Sequence, residues 1–329
     1  MARDGLAGWL IPSEFMDVNY GRQIKTFLLD RVTLLRIHRF KPEDMQFKEA
    51  LVSSAVVWFK NTPPPAGHAV EFTYGGTLMA PDVTRRISAD DVRGSTKWTQ
   101  FPRQQGKRRA QGGHRLAELF TVKRGLATGA NEFFMLPPEQ VRKHELPDDF
   151  LTPILPSPRH LPVDEVEADE NGEPILERKL YLLSCYLPER EVEARHPALW
   201  RYLESGMGAG VHERYLCKHR SPWYAQETRP PAPLLCNYMG RQRNGVGKPF
   251  RFILNHSRAT AANVFLMLYP TPFLQARLKT TPDLLRHVWR QLNQISINDL
   301  TSEGRVYGGG LHKLEPKELG NVILRDIDE

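Results

Sequence analysis

The segment from Gly5 to Tyr74 limits the fold most, because it holds several strand-forming runs around one helical pattern. Gly5-Leu-Ala-Gly-Trp-Leu-Ile-Pro12 is a short apolar run closed by a proline, which suits a buried strand. Ser13 then precedes a stretch in which Phe15, Val18, Ile24, Phe27 and Leu28 can share one helix face. Residues 32–38 read as a second strand, followed by a polar turn with Lys41-Pro42-Glu43-Asp44. Leu51 to Phe59 is strongly β-prone, Asn61 to Gly67 breaks the chain, and Ala69 to Tyr74 returns as a strand. The last two strands are expected to pair as an antiparallel hairpin. A parallel sheet needs neighbours on both sides, and these elements do not close one by themselves. The expectation is an incomplete sheet whose first half comes from another chain or an upstream region. Its apolar edge, around residues 6–11 and 52–59, would be exposed and prone to self-association.

The remaining chain has room for a second domain, since 329 residues suit about two. A hydrophobic share of 40% and a charged share of 25% are those of an ordinary globular protein. Residues 95–115 are polar, basic and rich in Gly and Gln, as a linker is. We therefore read 1–110 as one domain with its linker and 111–329 as another. His160 to Glu177 reads as an acidic loop with Asn171-Gly172 as its turn. Asp283 to Ile295 has helical spacing of Leu284, Leu285, Val288, Trp289, Leu292 and Ile295, and Lys317-Glu318 sit in a short helix after Pro316. No apolar run approaches the roughly 18 residues of a membrane span. Cys185, Cys217 and Cys236 match no zinc or disulfide pattern. With no signal-peptide layout at Met1, the chain is expected in a reducing cytoplasm.

Charge is segregated along the chain. Residues 95–115 carry six Lys or Arg and no acid, and residues 212–258 carry nine against Glu213 and Glu227. Residues 164–177 carry seven acids and no base. Such segregation can build one basic face that attracts phosphates, or plain solvated surface.

Four stretches resemble the gamma-class N6-adenine DNA methyltransferases of restriction–modification systems. Gly8-Trp-Leu-Ile-Pro-Ser-Glu-Phe15, with Tyr20-Gly21 and Phe27-Leu28-Leu29, is similar to the strand and helix after the catalytic loop. Gln46-Phe47 with Val52 to Phe59 is similar to the later motif whose aromatic packs on the target adenine. Leu119 to Phe134 and Tyr307 to Leu319 resemble the opening and the end of the recognition domain. The resemblance implies an α/β fold: an incomplete Rossmann-like methyltransferase sheet, then a mixed α/β target-recognition domain. The complete enzyme would move a methyl group from S-adenosylmethionine to adenine N6 in double-stranded DNA. The family's Asn/Asp/Ser-Pro-Pro-aromatic loop and its glycine-rich donor turn do not occur here; Thr62-Pro-Pro-Pro65 has the wrong first residue and no aromatic. This chain alone is therefore expected to bind no donor and to be inactive, its partners being duplex DNA and a missing N-terminal catalytic half, with no membrane.

Several residues are candidates for contact with DNA. Phe47 is either a core residue or the wall on which an extruded adenine stacks. Lys123, Arg124, Thr128 and Asn131 lie in a glycine-containing segment where backbone can approach a phosphate and Asn131 can reach a base edge, or which is simply a tight turn. Lys218, His219, Arg220, Trp223 and Tyr224 interleave cations with aromatics, as a backbone clamp or a wedge beside a distorted base pair does. A structural Trp–Tyr pair is the other reading. Gly309, His312 and Lys313 offer bare backbone and charge, or a flexible turn. A pure DNA-specificity module is the rival to a methyltransferase part; a sheet at 5–59 is of no use to such a module. A decayed fragment is the third reading.

Overall fold

The structure, a computed structural model, describes residues 1–47, 49–50, 52–102, 113–241, 248–307 and 310–324. These form two compact units. The first holds the described residues of Met1–Gln111 and Arg305–Lys313, with Arg241; the second holds the others.

In the first unit β1 (Leu6–Pro12), β2 (Thr33–Arg39), β3 (Ser54–Lys60), β4 (Ala69–Tyr74) and β5 (Val83–Ser88) form one sheet in the order β1-β3-β2-β4-β5. The helix α1 (Arg22–Asp30) follows β1. Alternate residues of the strands reach one core: Ala55, Val57 and Phe59 of β3, Ile37 of β2, and Val70 and Phe72 of β4 pack with Leu28 and Leu29 of α1 and with Trp98.

Two expectations fail here. The strands at 51–59 and 69–74 do not form a hairpin, because β2 lies between β3 and β4. The triproline stretch cannot make the tight turn a hairpin needs; it crosses the end of β2, where the Thr33 hydroxyl lies 3.0 Å from the carbonyls of Thr62 and Pro63. Nor is this sheet parallel: β2 with β4 is its one parallel pair among the described residues, and β3 runs antiparallel to both β1 and β2. The expected exposed edge is present in β1, which pairs only with β3 among the described residues and leaves Leu6 73% and Leu10 45% exposed. The edge does not extend to β3, which is interior.

The larger sheet of the second unit comprises β6 (Phe120–Arg124), β7 (Glu165–Val166), β8 (Leu234–Asn237), β9 (Phe252–Asn255) and β10 (Phe265–Pro270), ordered β7-β9-β8-β10-β6. It is covered on both faces, so β8 and β9 are buried throughout. On one face Leu234, Phe252 and Leu266 meet Val288 and Leu292; on the other, Leu235, Ile253 and Met267 meet Leu155 and Leu161. A third cluster gathers around α2 (Pro197–Gly208), with Leu199, Tyr202 and Leu203 against Phe133 and Phe134. The expected amphipathic helix is α3 (Leu284–Gln294), which buries Leu284, Val288 and Leu292. The short helix after Glu315 is α4 (Pro316–Gly320), closed by a capping box between Glu315 and Glu318. The three cysteines are free and buried, and no described helix is long and apolar enough to cross a membrane.

Candidate nucleic-acid interface

The second unit carries most of the candidate residues on two adjoining loops. Lys123 and Arg124 end the edge strand β6, opposite Met267 and Leu266, and both are exposed. The Arg124 guanidinium is held flat over the Tyr238 ring at 4.1 Å, and its Nε donates to the Asn263 carbonyl at 3.1 Å. At Gly125 the chain passes so close to its neighbour that a Cβ would stand 2.2 Å from the Ala262 carbonyl oxygen. This glycine serves backbone packing rather than the approach of a ligand. Thr128 is buried; its hydroxyl donates to Asn131 Oδ1 at 2.5 Å and accepts from the Ala130 amide at 3.1 Å. Asn131 itself is exposed at the start of a single helical turn.

The second loop, residues 211–226, is locked to the first by Arg220. Its guanidinium donates to the carbonyls of Ala127 at 2.5 Å and Thr128 at 2.7 Å and to Gln226 Oε1 at 3.0 Å. Arg220 is thus a half-buried clamp between loops, and its donors are directed inward. Trp223 and Tyr224 belong to the interior: Trp223 packs on Phe133 and Phe134, and the Tyr224 hydroxyl donates to the Leu187 carbonyl at 2.6 Å. The reading of this aromatic pair as a wedge is replaced by the structural one. Lys218 and His219 stay exposed. Beside them the structure brings out two residues that the sequence reading passed over, Tyr215 (72% exposed) and Leu216 (37%). The alternation of cations and aromatics starts at Arg214-Tyr215, four residues ahead of the segment singled out, and that was the available signal.

Charge segregated in sequence is recombined in space. Arg251 pairs with Asp164 at 2.6 Å, the Arg258 guanidinium donates to the Asn171 carbonyl, and His256 and Arg286 both meet Glu165. Arg214 pairs with Glu132, and Arg229 with Glu227. Asp164 thus offsets Arg251, and Glu132 and Glu227 offset Arg214 and Arg229, while Lys123, Arg124 and Lys218 stay exposed on the two loops.

The other candidates lie in the first unit. Phe47 is half-buried on the segment joining β2 to β3, past the carboxyl end of β2. Nearby, Phe40, Met45, Gln46, Gly76 and Leu78 line an open groove of about 610 Å³. His312 and Lys313 belong to a short hairpin, Arg305–Tyr307 with Leu311–Lys313, in which His312 opposes Val306 and is buried. The Ser53 hydroxyl donates to the Val306 carbonyl at 2.7 Å and so ties this hairpin to the start of β3. Gly309 lies outside the described residues.

At the carboxyl end of β1, Glu14 has both carboxylate oxygens shielded from solvent. Burial holds its carboxyl above the usual carboxylate range; the backbone amides of Glu14 and Ser53 and the Arg39 charge act the other way. A carboxyl with a raised folded-state pKa binds its proton more tightly in the native state. Its contribution to stability is full below about pH 4 and is lost as pH rises through the raised value. Glu14→Gln is therefore expected to raise the thermal midpoint at pH 7 and to change little at pH 4. Melting curves at the two pH values check this; an equal shift at both would mean that packing, not charge, is responsible.

Comparison with known proteins identifies the family to which this fold and these loops belong. Residues 105–329 match the family described as the type II methyltransferase M.Eco57I C-terminal domain. The chain belongs to that family. It is 28% identical over 337 residues to type II methyltransferase M.XamI of Xanthomonas campestris pv. amaranthicola, spanning all of this chain and 58% of that protein. It is 22% identical over 341 residues to type II methyltransferase M.AccI of Acinetobacter calcoaceticus, spanning 99% and 60%. The chain thus covers about three fifths of the length of these relatives. Its fold is shared with the type IIL restriction–modification enzyme MmeI, solved in complex with DNA, at a TM-score of 0.51 and 11% identity over 96% of this chain and 38% of that one.

Proposed function

We propose that this chain is the part of an N6-adenine-specific type II DNA methyltransferase that recognises duplex DNA and positions the target adenine. The observation that carries this reading is the joined pair of loops at 123–131 and 214–220, inside the segment that matches the methyltransferase family. Lys123 and Lys218 are assigned to phosphates, Arg124 and Asn131 to the duplex beside them, and Phe47 to the extruded adenine. Arg220 and Thr128 act as supports for the loops.

S-adenosylmethionine is the donor of the complete enzyme, and the described residues of this chain do not fit it. Gly75-Gly76 is the one glycine pair that directly follows a strand of the first sheet among the described residues, and it leads into the antiparallel strand β5. A donor turn would lead from a strand into a helix. No step through the donor is assigned to this chain. The unpaired edge of β1 is where the donor-binding part of the assembly would continue the sheet, whether as a second chain or as a further region of the same polypeptide.

The test is fluorescence anisotropy with a labelled duplex at several salt concentrations. Log affinity is expected to fall linearly with log salt, by about 0.9 per phosphate neutralised. Lys218→Ala and Lys123→Ala should each weaken binding to all sequences alike and reduce the slope by about one. A chain with no measurable affinity for duplex DNA at low salt would falsify the reading.

A further inference from the structure

We propose that Tyr215 and Leu216 form a wedge that enters the base stack of the bound duplex; this rests on the DNA-recognition reading above. The argument starts from exposure. Tyr215 is 72% and Leu216 37% exposed, whereas Cys217, the next residue, is fully buried and Arg220 is tied into the neighbouring loop. An aromatic and an aliphatic side chain therefore stand at the tip of a rigidly anchored loop. Single exposed apolar side chains are ordinary on a protein surface; here two adjacent ones share one anchored loop.

The ring is also braced. His219 lies one helical turn on, with its Nδ1 2.6 Å from the Tyr215 carbonyl oxygen and its ring centroid 4.6 Å from the Tyr215 ring. The Lys218 ammonium sits 5.9 Å from the centre of the Tyr215 ring. Leu216 is backed by the companion loop: a Cβ on Gly129, which has φ +85, would come within 3.0 Å of the Leu216 Cβ. A tip that is apolar and aromatic, stiff at its base and flanked by a cation has the chemistry of a residue that unstacks a base step while its flank holds the phosphate. A purely electrostatic contact would need Lys218 but no ring. Extrusion of an adenine requires unstacking, and a wedge lowers its cost.

The test needs no knowledge of the target sequence. An abasic site removes one base and opens the stack, so an inserting ring finds a vacancy there. The full chain is titrated by anisotropy into two otherwise identical 25-base-pair duplexes, one intact and one with a central abasic site. The wild-type chain is expected to prefer the abasic duplex roughly tenfold, equivalent to about 1.4 kcal/mol. Tyr215→Phe should keep that preference, and Tyr215→Ala should lose it while leaving the salt slope unchanged. Lys218→Ala should reduce the slope and keep the preference. If the wild type binds both duplexes equally, or if Tyr215→Ala retains the preference, the wedge is wrong although the DNA-recognition reading stands. If the wild type binds neither duplex at low salt, both fall together. Circular dichroism of the Tyr215 variants guards against misfolding.

Discussion

Gly125→Ala is expected to destabilise the second unit by about 3 kcal/mol, seen as a lower denaturant midpoint without a change in slope. The added carbon would stand 2.2 Å from the Ala262 carbonyl oxygen and 2.6 Å from that of Ala261, both backbone atoms of the facing segment. Backbone cannot move aside as a flexible side chain can, and the Gly125 amide is itself bonded to the Phe265 carbonyl at 2.9 Å. Relief therefore requires the end of β6 to part from β10. Gly208→Ala is the matched control, since nothing lies within 4 Å of its added carbon and it ends α2. That substitution should be neutral or gain up to about 1 kcal/mol. Equal behaviour of the two variants would show that the close approach at Gly125 does not exist.

Arg220→Ala should cost about 2–3 kcal/mol, because it leaves the carbonyls of Ala127 and Thr128 and the Gln226 amide oxygen without their donor. Arg220→Lys should restore little of this, since one ammonium cannot reach three acceptors from a planar fork's position. Thermal melts of the three proteins measure the loss. In DNA titrations Arg220→Ala should lower affinity with stability but keep the wild-type salt slope, in contrast to Lys218→Ala. A normal melt with a slope reduced by one would make Arg220 a phosphate ligand and sink the clamp.

Much of the architecture was legible because it rests on local pattern. The strand at 6–12, the amphipathic helix at 284–294 and the capped turn at 316–320 follow from periodicity and cap chemistry, which neighbours in sequence determine, although the burial expected of the first fails, since as an edge strand it buries none of its residues. The order of strands was not legible. Whether β3 pairs with β4 or lets β2 between them depends on where the triproline segment crosses, and that is set by contacts of Thr33 some 30 residues away. The candidate site shows the same division. Lys123, Arg124 and Lys218 could be picked from charge alone, and they are exposed. Trp223 and Tyr224 could not be told from surface aromatics, because composition carries no information about which side of a loop faces the core. The basic excess at 212–258 is partly offset for the same reason: Glu132, Asp164 and Glu165, which meet Arg214, Arg251 and His256, are distant in sequence and adjacent in space.

The hairpin Arg305–Lys313 bears on how such proteins can be recombined. It lies inside the stretch that matches the M.Eco57I C-terminal-domain family, yet it belongs to the first unit and is bonded there through Ser53. A graft that exchanges residues 105–329 between relatives as one block would set a foreign hairpin against the resident Ser53. The recipient would need Ser53 and its surroundings to accept a stranger's backbone. A chimaera should therefore take residue 53 and the hairpin from the same parent, although 253 positions separate the bonded pair in sequence.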